Sequence, residues 1–337
     1  MNQVHGGGVL ILTPVYNDWL AFERLLEHLD GVLADAGTTA RVLAVDDGST
    51  EPAAPDFGAA LRLRAVRKVE VLTLRRNLGH QRAIAVGLAF VEAQDDCEAV
   101  VVMDCDGEDD PRDVPRLLDR CQQEGWRPIV FAERSKRSEA LAFRVGYAAF
   151  KVVHRLLTGH RVRVGNFSVV PRARLTSLVV VSELWNHYAA AVFKSRLPYC
   201  MVPCHRAARY RGESSMSYVA LVSHGLSAIS VFSELVGVRL LVVTAPLIAL
   251  AFLGMVATVY LRLMTPLAIP GWATTAFGVL AILLSQWVVL ALAFCVMVLS
   301  GRSGSNFLPR RDYEVFIHRI SPLCEASWPP TVTSAPN

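Results

Sequence analysis

Charge is scarce in this chain. Asp, Glu, Lys and Arg make up 19% of its 337 residues, and the formal net charge is only +4. No global positive field is present to attract nucleic acid, so that class of partner is not expected. Cysteine is sparse and unframed. Cys97, Cys105, Cys121, Cys200, Cys204, Cys295 and Cys324 form an odd set without regular spacing, which fits a reducing compartment. Cys200, Cys204 and His205 invite a zinc reading, but no second ligand pair lies near them and packing is the better account. The N-terminus lacks a basic leader, and the apolar part of MNQVHGGGVLILTP is too short for a secretory signal. Its Gly6-Gly7-Gly8 run precedes a strand, whereas a dinucleotide fingerprint must follow one. No internal repeat is found.

Apolar residues are abundant instead. They form 53% of the chain, and the excess lies near the C-terminus. Leu240–Leu261 and Leu263–Gly301 carry no charge. About 20 apolar residues cross a bilayer core, so the first run fits one span. The second is too long for one, and its Pro266 and Pro270 place a loop before a helix over about 275–299. Pro246 inside the first run is tolerated in membrane helices. Arg206, Arg209, Arg211 and Arg239 precede the pair, and Arg302, Arg310, Arg311 and Arg319 follow it. Only Arg262 lies between. The positive-inside rule then predicts a multi-pass protein of the cell (inner) membrane with both termini and the N-terminal domain cytoplasmic. Met216–Val236 reads as an amphipathic helix on the bilayer surface, with an ordinary domain helix as the competing account. The expected division is an α/β domain over 1–215, a juxtamembrane helix over 216–239, a hairpin over 240–301 (about 240–261 and 275–299), and a tail over 302–337. That tail is expected to be disordered from Ser321.

The first half alternates between two periods. Gly8–Thr13, Arg41–Asp46, Val69–Leu74, Ala99–Asp104 and Pro128–Glu133 read as strands. Helical spacing covers about 19–36, 56–66, 81–92 and 113–124. Such alternation predicts a mostly parallel, Rossmann-like sheet with right-handed crossovers. Further on, Ser138–Thr158 reads as a helix, and Asn166–Arg172 and Tyr199–Cys204 as strands.

Two of these strands end in acids. AVVVMDCDGEDDP puts Asp104 and Asp106 one residue apart, on one side of a strand, with Glu108, Asp109 and Asp110 following. So much like charge is costly unless a cation offsets it, and hard divalent ions prefer such oxygens. An acidic, solvated turn is the competing account. The second acidic strand end is RVLAVDDGST, with Asp46 and Asp47. In open α/β sheets, ligands bind outside the carboxyl ends of the strands. The turn TPVYND offers Pro14 and Tyr16 as a rim, with Asn17 and with Asp18 as a helix N-cap. RRNLGHQRAIAVGL puts Asn77 and Gly79 at a strand-to-helix turn that favours anions. Two basic sets, ERSKRS (with Arg134 and Arg137) and HRAARYRGESS (with Arg206 and Arg209), suit phosphates or anionic headgroups equally.

Taken in order, TPVYND, VDDGST, RRNLGHQRAIAVGL, MDCDGEDDP, VGNFSVVPR and RGESS resemble the family 2 glycosyltransferases of GT-A fold. The nearest resemblance within them is to polyprenyl-phosphate glycosyltransferases, including dolichol-phosphate mannose synthases. The resemblance implies a metal-dependent hexosyltransferase using a UDP- or GDP-sugar, Mg²⁺ or Mn²⁺, and a polyprenyl phosphate in a lipid bilayer. It assigns Pro14, Tyr16, Asp18, Asp46, Asp47, Asn77, Gly79 and Asp104 to the donor, and Asp104, Asp106 and Glu108 to the metal. Arg134, Arg137, Ser138, Arg206 and Arg209 fall to the acceptor phosphate, and Asp104, Asp106 and Arg134 to catalysis. Asp18 stands where Glu is common, Asn166 where many relatives carry Asp, and Ser215 where Lys often follows. Another lipid or a protein as acceptor, a processive polysaccharide synthase, and an inert scaffold or lipid-translocator subunit remain open. The synthase would need more spans and a QxxRW motif, and the only QW pair, Gln286-Trp287, lies inside a span. A homo-oligomer is compatible with all of these.

Overall fold

The computed structural model describes residues 8–54, 57–58, 61–134, 151–159, 164–210, 218–265, 271–303 and 307–325. Eight strands form one sheet: β1 (Val9–Val15), β2 (Ala40–Asp46), β3 (Val66–Leu74), β4 (Ala99–Val102), β5 (Ile129–Arg134), β6 (Val164–Pro171), β7 (Tyr199–Cys204) and β8 (Ile317–Glu325). Their spatial order is β7-β5-β6-β4-β1-β2-β3-β8. β1 to β4 pair in parallel, as do β5 and β7, while β6 and β8 run antiparallel to their neighbours.

Strand alternation builds two cores. Val9, Ile11, Val42 and Val101 face one side with Phe22, Leu25 and Leu29 of α1 (Trp19–Asp35) and Val114 and Leu117 of α3 (Asp113–Gln123). Leu10, Leu12, Leu43, Val100 and Val102 face the other side, against Ile84, Leu88 and Val91 of α2 (His80–Gln94). The same side holds α5 (Arg172–Leu178) and α6 (Tyr188–Lys194) through Leu175, Leu178 and Tyr188. A further helix, α4, covers 151–158. The chain order reverses between β1 and β4, with β2 on one side of β1 and β4 on the other. That switch point is where such sheets bind ligands.

The chain divides into two compact units. One holds 1–139, 163–231 and 306–337; the other holds 140–162 and 232–305. The second contains α8 (Ser233–Met264) and α9 (Trp272–Ser303), each 32 residues long and apolar enough to cross a membrane. Gly237 packs on Val298 and Gly254 on Leu280, so small residues of α8 admit side chains of α9. Arg239 Nη1 donates to the carbonyls of Leu156 and Leu157 at 2.8 and 2.9 Å, closing the end of α4.

Several sequence expectations change. No helix runs over 56–66 among the described residues: Leu61–Arg64 is irregular and β3 begins at Val66. The buried Asp30 carboxylate accepts the backbone N–H groups of Arg64, Ala65 and Val66 at 2.7, 2.7 and 2.9 Å, which fixes the bend that leads into β3. The helix expected at the bilayer surface over 216–239 corresponds to α7 (Tyr218–Ser230). The helical run is interrupted at 231–232, so the boundary expected at 240 falls inside α8. The stretch expected to be disordered from Ser321 is a strand as far as Glu325: Ile317–Glu325 form β8 and close the β3 edge, an open edge being a liability for a sheet.

Candidate functional site

Parallel register brings the acidic strand ends to one edge. Val15 pairs with Asp46, Leu12 pairs with Val102, and the Met103 N–H bonds to the Leu12 carbonyl, so Asp104 leaves β4 at the level where β1 is ending. Pro14 is buried in β1, while Tyr16 stands 48% exposed on the rim. Asn17 stitches the two turns together. Its Oδ1 accepts the N–H groups of Thr50 and Glu51 at 2.9 and 3.1 Å, and its Nδ2 donates to Thr50 Oγ1 at 3.0 Å. Asp18 occupies the N-cap position of α1, but its side chain makes no cap hydrogen bond, which corrects the capping role expected from sequence.

Asp46 and Asp47 divide their work. Asp46 Oδ1 accepts Ser49 N–H at 2.9 Å, shaping the turn. Asp47 clamps the next turn, with Leu78 N–H on Oδ1 at 2.7 Å and Gly79 N–H on Oδ2 at 2.9 Å. Burial raises the Asp47 pKa despite these two N–H groups. Asp47 thus holds Gly79 and the start of α2, and Asn77 stands exposed on the same turn.

The turn that carries Asp104 and Asp106 folds on itself and meets two arginines. Asp104 N–H donates to Asp109 Oδ2 at 3.0 Å, and Glu108 N–H to Asp106 Oδ1 at 2.9 Å. The segment after β7 crosses this turn: Ala207 N–H bonds to the Glu108 carbonyl at 3.1 Å and Tyr210 N–H to the Asp106 carbonyl at 3.0 Å. Arg209 Nη2 lies 2.7 Å from Asp106 Oδ2, and its Nε 3.2 Å from Glu108 Oε1. Arg206 pairs with Glu108 as well. Burial lowers the Arg206 pKa, opposed by Asp106. The two arginines expected to meet a phosphate therefore sit on the acids expected to meet a metal. This offsets the clustered negative charge. It also sets carboxylate oxygens and guanidinium groups side by side. The donors of Asp104, Asp106 and Glu108 are hard oxygens suited to Mg²⁺ or Mn²⁺. Among the described residues, no group of three or more His, Cys, Asp or Glu is arranged to hold an ion. Arg134 ends β5 in register with Cys204; Arg137 and Ser138 lie outside the described residues.

Sequence reasoning missed a network at the start of α2. His80 Nε2 stands 3.0 Å from Asp104 Oδ1 and 2.9 Å from Asn166 Nδ2. Asn166 Oδ1 accepts Gln81 Nε2 at 3.0 Å, and Gln81 Oε1 accepts the Tyr188 backbone N–H at 2.7 Å. Below it, Ser168 Oγ and Tyr188 OH share a hydrogen bond of 2.7 Å. Burial pulls the His80 pKa down, but Asp104, then Asp109 and Asp106, outweigh it and raise it. The sequence signals were the polar residues His80, Gln81 and Arg82 opening α2, and Asn166, already singled out as standing where many relatives carry Asp.

Residues 10–163 match the family model for glycosyl transferase family 2. The mixed, mostly parallel sheet followed by two long apolar helices agrees with the GT-A expectation. An undecaprenyl-phosphate 4-deoxy-4-formamido-L-arabinose transferase of Klebsiella pneumoniae (strain 342) is 27% identical over 224 residues, covering 64% of this chain and 64% of that one. The matched part thus spans less than two thirds of that relative. An uncharacterized glycosyltransferase, YkcC, of Bacillus subtilis (strain 168) is 26% identical over 272 residues, covering 78% of this chain and 80% of that protein. Among solved structures, glucosyl-3-phosphoglycerate synthase from Mycobacterium tuberculosis, in complex with Mn²⁺, UDP-glucose and phosphoglyceric acid, is 16% identical. It covers 69% of this chain and 80% of that one, with a TM-score of 0.49.

Proposed function

We propose that this chain is a membrane-anchored, inverting glycosyltransferase that moves a sugar from a UDP- or GDP-sugar to a polyprenyl phosphate at the cytoplasmic membrane face. The observation that carries the reading is the gathering of Asp104, Asp106, Glu108, Arg206 and Arg209 beside the sheet's switch point, within a family 2 domain. The name of the Klebsiella relative supports a polyprenyl phosphate acceptor. Two long apolar helices support a bilayer location. Strands before and after those helices share one sheet, so the hairpin would begin and end on the same side of the membrane.

Asp104 and Asp106, with Glu108 beside them, would hold Mg²⁺ or Mn²⁺, which when bound supplies Lewis-acid stabilisation of the departing diphosphate. Asp46, Pro14, Tyr16 and Asp18 would hold base and ribose, with Asp47 fixing the Asn77–Gly79 turn near them. Arg134, Arg206 and Arg209, and in the undescribed segment Arg137 and Ser138, would orient the acceptor phosphate. That phosphate is already anionic near neutral pH, so no general base is required. Its oxygen forms the new bond to sugar C1 as the C1–O bond to the nucleoside diphosphate breaks and that electron pair leaves with the diphosphate. In-line displacement inverts C1, and positioning is the main demand on the protein.

The test incubates membranes carrying the full chain with a panel of radiolabelled nucleotide sugars and polyprenyl phosphates. One donor is expected to place its label in the organic phase with equimolar release of nucleoside diphosphate. Label appearing only as free sugar or as a water-soluble glycan would overturn the lipid acceptor.

A further inference from the structure

Gln286 lies midway along the apolar stretch Trp272–Leu299, about 20 Å of helix from either end. Its side chain is exposed, on the face of α9 turned away from the half-buried stripe Leu280, Leu284, Trp287, Ala291 and Phe294. A shallow depression of about 470 Å³ sits there, lined by Ser285, Gln286, Val289, Leu290 and Ala293.

Three hydroxyls within the hairpin bond to their own helices. Thr244 donates to the Leu240 carbonyl, Thr258 to that of Gly254, and Ser285 to that of Ile282, each at 2.7–2.8 Å. Gln286 differs: among the described residues its amide forms no hydrogen bond. A primary amide has two donors and an acceptor to satisfy, and hydrocarbon satisfies none of them. An isoprenoid or acyl chain laid in the depression would leave them unpaired as well.

A second copy of this chain supplies what is missing. Two copies inserted with the same topology carry parallel α9 helices, and a two-fold axis between them brings like residues together. Gln286 then meets Gln286 at the same depth, each amide donating to the other's oxygen. Ser285 and Ala293, small residues on the same face, let the backbones approach. We infer that α9 is a self-association surface, closed across a two-fold axis by a reciprocal Gln286 amide pair. The inference rests on α8 and α9 spanning a bilayer, as proposed above.

The test uses the full chain carrying Val289→Cys in a Cys295→Ser background, reconstituted in liposomes at falling protein-to-lipid ratio and cross-linked by a short thiol reagent. Resistance to alkaline extraction establishes first that the helices span, so failure of that reading is seen separately. Cross-linking through position 289 is expected. Gln286→Leu should weaken association about tenfold, Gln286→Asn should retain most of it, and donor turnover should stay unchanged in both. Gln286→Leu cross-linking as well as its parent, or a parent that stays monomeric at every ratio, would overturn the inference. So would capture of only a different membrane protein in cells.

Discussion

Replacing Gly48 with alanine should damage both the fold and the site. Gly48 follows the Asp46-Asp47 pair with φ +68, and an added Cβ would stand 2.6 Å from Arg76 C and Asn77 N. The left-handed conformation costs a non-glycine residue about 1–2 kcal/mol. The obstacle is backbone, so the 75–79 turn must retreat by about 0.8 Å to restore ordinary contact, at roughly 1–3 kcal/mol. The combined loss of about 2–5 kcal/mol corresponds to a thermal midpoint lower by roughly 4–20 °C. The same turn is clamped by Asp47 and leads into His80, which stands beside Asp104. Misplacement approaching 1 Å there should cost about a hundredfold in turnover. Gly37→Ala is the matched control: φ is +63, but nothing lies within 4 Å of the added carbon. It should lose only the conformational part and keep full turnover. The assay heats each variant in detergent, follows loss of structure by circular dichroism, and measures donor turnover on unheated enzyme. Gly48→Ala behaving like Gly37→Ala in both measurements would refute the packing argument.

Two further outcomes are expected. Ending the chain after residue 306 keeps both apolar helices but removes β8, the buried Tyr313, and the Phe307 and Phe316 rings stacked near Trp185. Loss of a buried aromatic alone costs about 3–5 kcal/mol, and the bared β3 edge invites association. Size-exclusion chromatography should show aggregates, and a monodisperse, active product would contradict the role given to the return segment. Replacing 240–301 with a flexible Gly/Ser linker should lower transfer to a long-chain acceptor about a hundredfold by removing the shared bilayer. Donor hydrolysis should persist, and equal loss of both activities would make the hairpin merely structural.

The sequence disclosed what local pattern encodes. The apolar runs of β1, β2 and β4 are buried through and through, so they read as strands without tertiary information. Asp104 and Asp106 were visible because acids end such a run. Features made by distant partners were hidden. Phe57, Leu61 and Ala65 recur at a helical spacing, yet Asp30, more than 30 residues earlier, captures three N–H groups and bends the end of that stretch into β3. β8, with Pro322 inside it, looks like a tail until β3, far earlier in the chain, is there to pair with it. His80 and Gln81 gain meaning only when β6 delivers Asn166 across the site. The pairing of Arg206 with Glu108 and of Arg209 with Asp106 was equally hidden, since it depends on the chain after β7 crossing that turn.

The central claim is that acids at the tip of β4 drive sugar transfer to a membrane lipid. The most direct measurement is the initial rate of label entering the organic phase, with and without chelator, for the parent chain and Asp106→Asn. The account predicts loss of transfer on chelation and recovery with Mg²⁺ or Mn²⁺. It also predicts a rate about 10²–10³-fold lower for the variant, at an unchanged thermal midpoint. Undiminished transfer by Asp106→Asn, or by the parent in chelator, would contradict it.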